Sequence, residues 1–230
     1  MRAQAQRESV VDLCRELADR GFLAGTGGNV ALRVDEHDFA VTPSATDYYA
    51  MTAQDVSVLR LRDLRQVEGA RAPSVESSLH ARVLRARPDC QWSVHTHQPV
   101  ASACTLLGRP LDVHDPHLRA LLGAKVAFAG YAPSGTAWLA GKLARVVQPG
   151  INAYLLRNHG VLCCAADART AVRTLVALET VAARFLLERI RARAAGDSGR
   201  RTSLMELAAA LARESGRGSA FEHDGEPGWA

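Results

Sequence analysis

The chain has no run approaching the ~20 consecutive apolar residues that a membrane-spanning helix needs, so no membrane span is expected. It has no Cys-x-x-Cys pair, and its five cysteines are odd in number, so no disulfide framework is indicated. No run of Lys and Arg is interleaved with aromatic residues, which leaves no stripe for a nucleic acid. The first residues, MRAQAQRESVVDLCREL, carry charges throughout and have helical periodicity, unlike a signal peptide. These absences fit a reducing, cytoplasmic setting and no membrane or nucleic-acid partner.

What is present suits an ordinary globular fold. The 230 residues are 47% hydrophobic and 23% charged, enough to bury one sizeable core. The formal charge of +4 is modest, Arg-dominated and interspersed with acids. The most basic segment, 189–201, reads as a solvated helix end followed by a loop.

Periodicity predicts a helix over 4–20, ending near Gly21, then a glycine-rich turn and strand over 25–34. A second strand over 38–44 completes a hairpin and is ended by Pro43. Thr52 is expected to cap a helix, residues 56–61 alternate, and 65–72 read as a polar loop. Further helices are expected over 74–88, 98–107, in 114–123, over 136–147 and over 167–194, the last capped by Asp167. Strands are expected at 92–97, within 125–135, and over 153–165, the last interrupted at Asn158-His159-Gly160. Strands in both hairpin and helix-separated form indicate a mixed α/β sheet with an antiparallel component. The expected organisation is one core-bearing domain over 1–195, a loop and C-terminal helix over 196–214, and a disordered Gly-rich tail over 215–230.

Three segments place polar residues where packing favours apolar ones. In WSVHTHQPV (92–100), His95 and His97 share one face of a strand, because side chains at i and i+2 point the same way. They form half of a metal site or are two separately satisfied histidines. Glu76 opens a helix, where the helix dipole alone would favour a carboxylate. His159 reads as a strand-centre residue beside Gly160, whose small size permits close approach. One carboxylate with three histidines suits zinc, iron, manganese or cobalt, but spacing does not bring His159 to His97.

The ordered series GTGGNV (25–30), TPSA (42–45), PSVE (73–76), HTH (95–97), YAPSGT (131–136) and NHG (158–160) resembles the class II aldolase/adducin family over roughly residues 8–190. The resemblance implies an α/β fold, a single three-layer α/β/α domain around a largely antiparallel sheet. It further implies a homotetramer with sites at subunit contacts. It implies one divalent metal per chain, Zn2+ first and Mn2+, Co2+ or Fe2+ next, held by His95, His97, His159 and Glu76. Glu76 would also act as catalytic acid/base, a task expected to need a pKa raised by an apolar surrounding. The implied activity is that of a lyase, an aldolase or decarboxylase, acting on a small sugar-like hydroxy-carbonyl compound through a metal-stabilised enediolate. An epimerase, a dehydratase or an iron-dependent oxidative decarboxylase would use the same ligands. A non-catalytic adducin-like interaction module is the reading from another class.

The same resemblance assigns substrate or phosphate binding to Thr26, Gly28, Asn29, Thr42, Ser44 and Ser74. Gly27, Ala45 and Val75 depart from its pattern, removing hydroxyls and a glycine, so a carboxylate-bearing or unphosphorylated substrate stays open. No tyrosine lies in LDVHDPHLRALLG (111–123), where the family aldolases carry a catalytic one. Asp115 and His117 are the candidate replacements, with His114 and Arg119 beside them, unless this is only a solvated loop. His80, one turn after Glu76, could touch the same site, but is read first as packing at a subunit or helix contact. Glu179 is read as half of a structural ion pair, and Trp92 and Trp138 as core or interface.

Overall fold

The structure, a computed structural model, describes residues 2–219. Its elements, in order, are α1 (Gln4–Asp19), β1 (Asn29–Arg33), β2 (Asp38–Val41), β3 (Ser57–Arg60), β4 (Gln66–Glu68), α2 (Ser77–Ala86), β5 (Trp92–Thr96), α3 (Pro99–Cys104), β6 (Leu111–Asp112), α4 (Pro116–Leu122), β7 (Lys125–Ala129), α5 (Ala137–Ala144), β8 (Ala153–Leu156), β9 (Val161–Ala165), α6 (Ala168–Gly196) and α7 (Arg201–Ser219). The strands form one nine-stranded sheet in the order β4-β3-β2-β1-β5-β9-β8-β7-β6. Only the β7–β8 pair is parallel.

Alternation along the strands builds three layers. Val161, Cys163 and Ala165 of β9 join Val30, Val94 and Leu155 in a core shared with α1, α3, α4 and α6. Leu162 and Cys164 point the other way, into a core with Tyr154 and Leu156 beneath α2 and α5. Ala31, Phe39 and Val41 continue that second face under Ala81 and Leu84 of α2. Helices therefore cover both faces of a largely antiparallel sheet, as the resemblance implies. All five cysteines are free and buried. Among the described residues, no helix is long and apolar enough to cross a membrane.

Four expectations need correction. Thr52 caps no helix: its N–H and hydroxyl both donate to the Asp55 carboxylate, at 2.9 and 2.7 Å, and close a turn. The apolar residues that follow enter β3, where pairing with β2 buries them. The loop at 65–72 contains β4, a three-residue edge strand. The interrupted strand at 153–165 is two antiparallel strands, β8 and β9. Finally, α7 runs to Ser219, so residues 215–219 of the expected tail are helical, while 220–230 lie outside the described residues.

Leu155 is fully buried at the centre of the larger core. Leu155→Ala is expected to cost ~2–5 kcal/mol, read as a lowered urea midpoint with an unchanged m-value.

Candidate active site

The site is assembled where β5 and β9 pair antiparallel. His95 lies on the face of β5 that looks towards α2, opposite Leu162 of β9 and Asn29 of β1. His97, two residues on, points the same way just beyond the strand end. His159 comes from the turn joining β8 to β9, and this corrects its expected place in a strand centre. The His159 N–H donates to the Leu156 carbonyl at 3.0 Å, and Asn158 takes a left-handed φ of 55° that an asparagine tolerates. That turn folds the ring back over β5.

The three imidazoles converge through one type of atom. The Nε2 atoms of His97 and His159 each lie 3.0 Å from Nε2 of His95. His95 Nδ1 is 2.7 Å from the Val161 carbonyl oxygen, an acceptor only, so the ring proton sits on Nδ1. Its Nε2 therefore presents a lone pair to the cluster, the arrangement in which a second hydrogen bond fixes the tautomer of a ligating histidine. Glu76, the residue before α2, places Oε2 3.2 Å from His95 Nε2 and Oε1 3.0 Å from His159 Nε2. Four groups whose donor atoms crowd to about 3 Å need a cation or a shared proton among them. Donor atoms ~2.05 Å from a tetrahedral ion lie ~3.3 Å apart, close to the separations seen. The residues fit a divalent metal, and His95, His97 and His159 form the one candidate metal-holding cluster of three or more such groups among the described residues.

Charge states agree with that use. Burial pushes the His95 imidazole down to about 3, with the Glu76 charge only partly opposing it, and burial likewise lowers His97. Neutral rings are the ligating form. For Glu76, burial pushes the carboxyl up. The bonds from His159, Asn29 and Ser134, joined by the charge of His95 where that ring is protonated, outweigh it and hold the group well below the usual carboxylate range. The expected upward shift is thus corrected: in this state Glu76 is a well-solvated anion, held by the protein instead of by water.

Glycines leave room for the cluster. A Cβ on Gly160 would lie 2.4 Å from Cδ2 of His97 and 2.6 Å from the Thr96 carbonyl, and one on Gly27 would lie 3.3 Å from Nδ1 of His97. Gly28 has φ +84°, and a Cβ there would come within 2.7 Å of the His95 carbonyl. The Tyr48 hydroxyl secures this turn by donating to the Gly28 carbonyl at 2.7 Å.

The other expected binding residues fall into two groups. Asn29, Thr42 and Ser74 are buried beside the cluster. Asn29 donates to Glu76, Thr42 accepts from the Val30 N–H, and Ser74 accepts from the Glu76 N–H at 3.2 Å. A bridge between Pro43 and Pro73 holds the two loops together, and Ser44 donates its N–H to the Ala72 carbonyl. Ala45 keeps a left-handed φ of 47°, so the turn retains a conformation suited to glycine without having one. Thr26 is exposed on a cavity of about 290 Å³ shared with Asp47, Tyr48 and Tyr49.

Asp115 and His117 do not join the cluster of their own chain. Asp115 caps α4, accepting from the N–H groups of His117 and Leu118, and its other oxygen accepts from Arg184 at 2.9 Å. The β6 strand leading into α4 lies four strands from β5, on the order of 19 Å along the sheet.

A family model, the class II aldolase and adducin N-terminal domain, matches residues 8–186. The chain belongs to that family. It is 34% identical over 175 residues to a 5-deoxy-D-ribulose 1-phosphate aldolase of Bacillus thuringiensis serovar kurstaki, covering 74% of this chain and 79% of that one. It is 28% identical over 186 residues to a 3-oxo-tetronate 4-phosphate decarboxylase of Haemophilus influenzae, covering 79% and 87%. The solved structure of an L-fuculose 1-phosphate aldolase superposes with a TM-score of 0.74 at 29% identity, covering 80% of this chain and 86% of the other. With aldolases and a decarboxylase as relatives, this class II aldolase-type chain is an enzyme with lyase chemistry.

Two contacts near the cluster, those of Ser134 and Glu179, escaped the sequence reading, and that of His80 was only its second choice. Ser134, inside YAPSGT, donates to Glu76 Oε1 at 2.7 Å. His80 is fully buried against Asn29 and Ser93, which favours the second of its two readings, contact with the site. Glu179 makes no ion pair among the described residues. Its carboxylate takes the N–H groups of Val100 and Ala101 at the start of α3, at 2.8 and 2.9 Å.

Gly160→Ala is expected to displace His97 and His159 and to abolish metal retention through gel filtration while the protein stays folded by circular dichroism. Burial pushes His80 down to about 4 and His95 to about 3, from 6.5. Between those values and ~6.5 the unfolded chain binds protons that the folded chain refuses, so stability falls as pH falls. The Tm of chelator-treated protein is expected to decline steadily from pH ~7 to ~4.5. A flat Tm over that range would show that neither imidazole is held neutral.

Proposed function

We propose that this class II aldolase-family chain is a divalent-metal-dependent lyase that cleaves or decarboxylates a small, sugar-like hydroxy-carbonyl compound. The supporting observation is the convergence of three imidazole Nε2 atoms and both Glu76 oxygens within 3.0 to 3.2 Å contacts, on a strand-end face reached from solvent past His97. His95, His97 and His159 hold the metal, with Glu76 completing the set, and zinc suits three imidazoles and a carboxylate. The bound cation supplies Lewis acidity to the substrate's carbonyl and hydroxyl oxygens.

The chain's own residues do the rest. Asn29 grips Glu76 Oε2 from the buried side, while Ser134 and His159 grip Oε1 from the open side. With His159 Nε2 turned to the metal and the Ser134 hydroxyl drawn to an entering substrate, both contacts to Oε1 would be lost and burial would then raise the Glu76 pKa. The carboxylate thereby becomes a stronger base while the substrate is in place, and it carries the proton at the reacting carbon or hydroxyl. Thr42, Ser44, Ser74 and the glycine turn supply donors for an anionic end of the substrate. The named relatives act on phosphorylated compounds, and that class is the first to assay. Decarboxylation is the second reading, favoured by the Haemophilus relative. Assembly as a cytoplasmic homotetramer would bring a neighbour's residues to each site. The exposed His117 ring, and not the committed Asp115 carboxylate, is then the side chain free to serve a partner's site as proton donor.

Elemental analysis of the purified protein by mass spectrometry is expected to find about one divalent metal per chain, lost in His97→Ala. Glu76→Gln is expected to retain metal and to lose turnover of 5-deoxyribulose 1-phosphate or fuculose 1-phosphate by ~10²-fold or more. No metal after reconstitution, or normal turnover in Glu76→Gln, would refute the proposal.

A further inference from the structure

A second row of buried polar groups lies behind the cluster. Ser93 precedes His95 by two residues on the same strand face, and His80 follows Glu76 by four on the same helix face. The apolar docking of α2 is already supplied by Leu79 and Val83 in one core and by Ala81 and Leu84 in another. An imidazole with no exposed surface is therefore not needed to seat the helix, and an apolar residue would avoid its desolvation.

The bonds in this row run in one direction. The Glu76 carboxylate only accepts, so Asn29 turns its NH2 group to Oε2, at 2.9 Å. The Asn29 Oδ1 then faces His80 Nε2 at 2.6 Å, and that nitrogen carries the proton. His80 Nδ1 is left as acceptor for the Ser93 hydroxyl at 2.8 Å. Each group fixes the rotamer or tautomer of the next, ending at one oxygen of Glu76.

We propose that His80, oriented by Ser93, is a positioning residue for the Glu76 carboxylate and acts through the Asn29 amide. Without the His80 N–H, the Asn29 amide has no reason to keep its NH2 towards Glu76, and Oε2 loses the hydrogen bond that Asn29 donates. The inference rests on the reading of Glu76 as part of the metal and proton-transfer site.

The test compares full-length wild type with His80→Gln, His80→Leu and Ser93→Ala. Co2+ affinity is read by chelator competition, together with the visible spectrum of the bound ion. In metal-free, 15N-labelled protein, exchange protection of the Asn29 NH2 signals is read, assigned by their loss in Asn29→Ala. His80→Leu is expected to weaken Co2+ binding ~10-fold or more, to alter its spectrum and to strip protection from Asn29. His80→Gln, whose NH2 can still donate to Oδ1, is expected to restore most of each. If His80→Leu does not fold, Ser93→Ala carries the comparison, with a smaller loss in the same quantities. Unchanged Co2+ binding and Asn29 protection in His80→Leu, or in Ser93→Ala in its place, would overturn the proposal. So would equal loss in His80→Gln and His80→Leu at matched Tm. A wild type that binds no Co2+ yet shows protection of Asn29 dependent on His80 would overturn the metal reading and support the positioning role.

Discussion

The hydrogen bond from His95 Nδ1 to the Val161 carbonyl joins the chemistry of this protein to its sheet. It spans the same β5–β9 pair whose ladder runs from Trp92 opposite Ala165 to Thr96 opposite Val161. A main-chain oxygen normally available to a ladder or to water is used to choose a tautomer. That choice leaves the packed ring with a free lone pair on Nε2, and the other groups arrange themselves around it. The turn carrying His159, the bare Cα of Gly160 and the entry of α2 at Glu76 all have their place relative to this one ring.

A consequence is that the polar seam of the sheet stays narrow. On β5, Ser93 and His95 face α2, while Trp92 and Val94 face the opposite apolar core. On the neighbouring β9, the residues on the α2 side are Leu162 and Cys164, both apolar in surroundings. The polar groups of this face therefore lie on β5 and on Asn29 at the start of β1, between the apolar Leu162 and Cys164 of β9 and Ala31 further along β1. Low polarity beside the seam strengthens each bond within it and keeps the buried imidazoles uncharged.

Much of this was legible in the amino-acid order. The period-2 rule places His95 and His97 on one face without any coordinates, and the helix ends near Gly21, Pro88 and Asp167 follow from local chemistry. Glu76 was recognisable as an anomaly at a helix opening. The misreadings have a common cause, since they concern residues whose role is set by partners distant in sequence. Thr52 has the right residue type for a cap, but Asp55 offers a closer acceptor and β2 offers β3 a ladder. His159 was placed at the centre of a single, interrupted strand because apolar residues flank it on both sides, and only the β8–β9 pairing reveals the turn. The direction of the Glu76 shift depends on four donors or charges from four other segments, which no local pattern encodes.

The clamp between α6 and the start of α3 has a mechanical meaning. Gln98 Nε2 donates to the Leu175 carbonyl at 3.1 Å, and Glu179 takes the N–H groups of Val100 and Ala101. His97 sits directly before this clamp and directly after the last residue of β5. One ring of the histidine cluster is thus suspended between two rigid bodies, the sheet at one end and a 29-residue helix at the other. A small rolling of that helix is geared straight into the position of His97, while His95 stays bolted to the sheet.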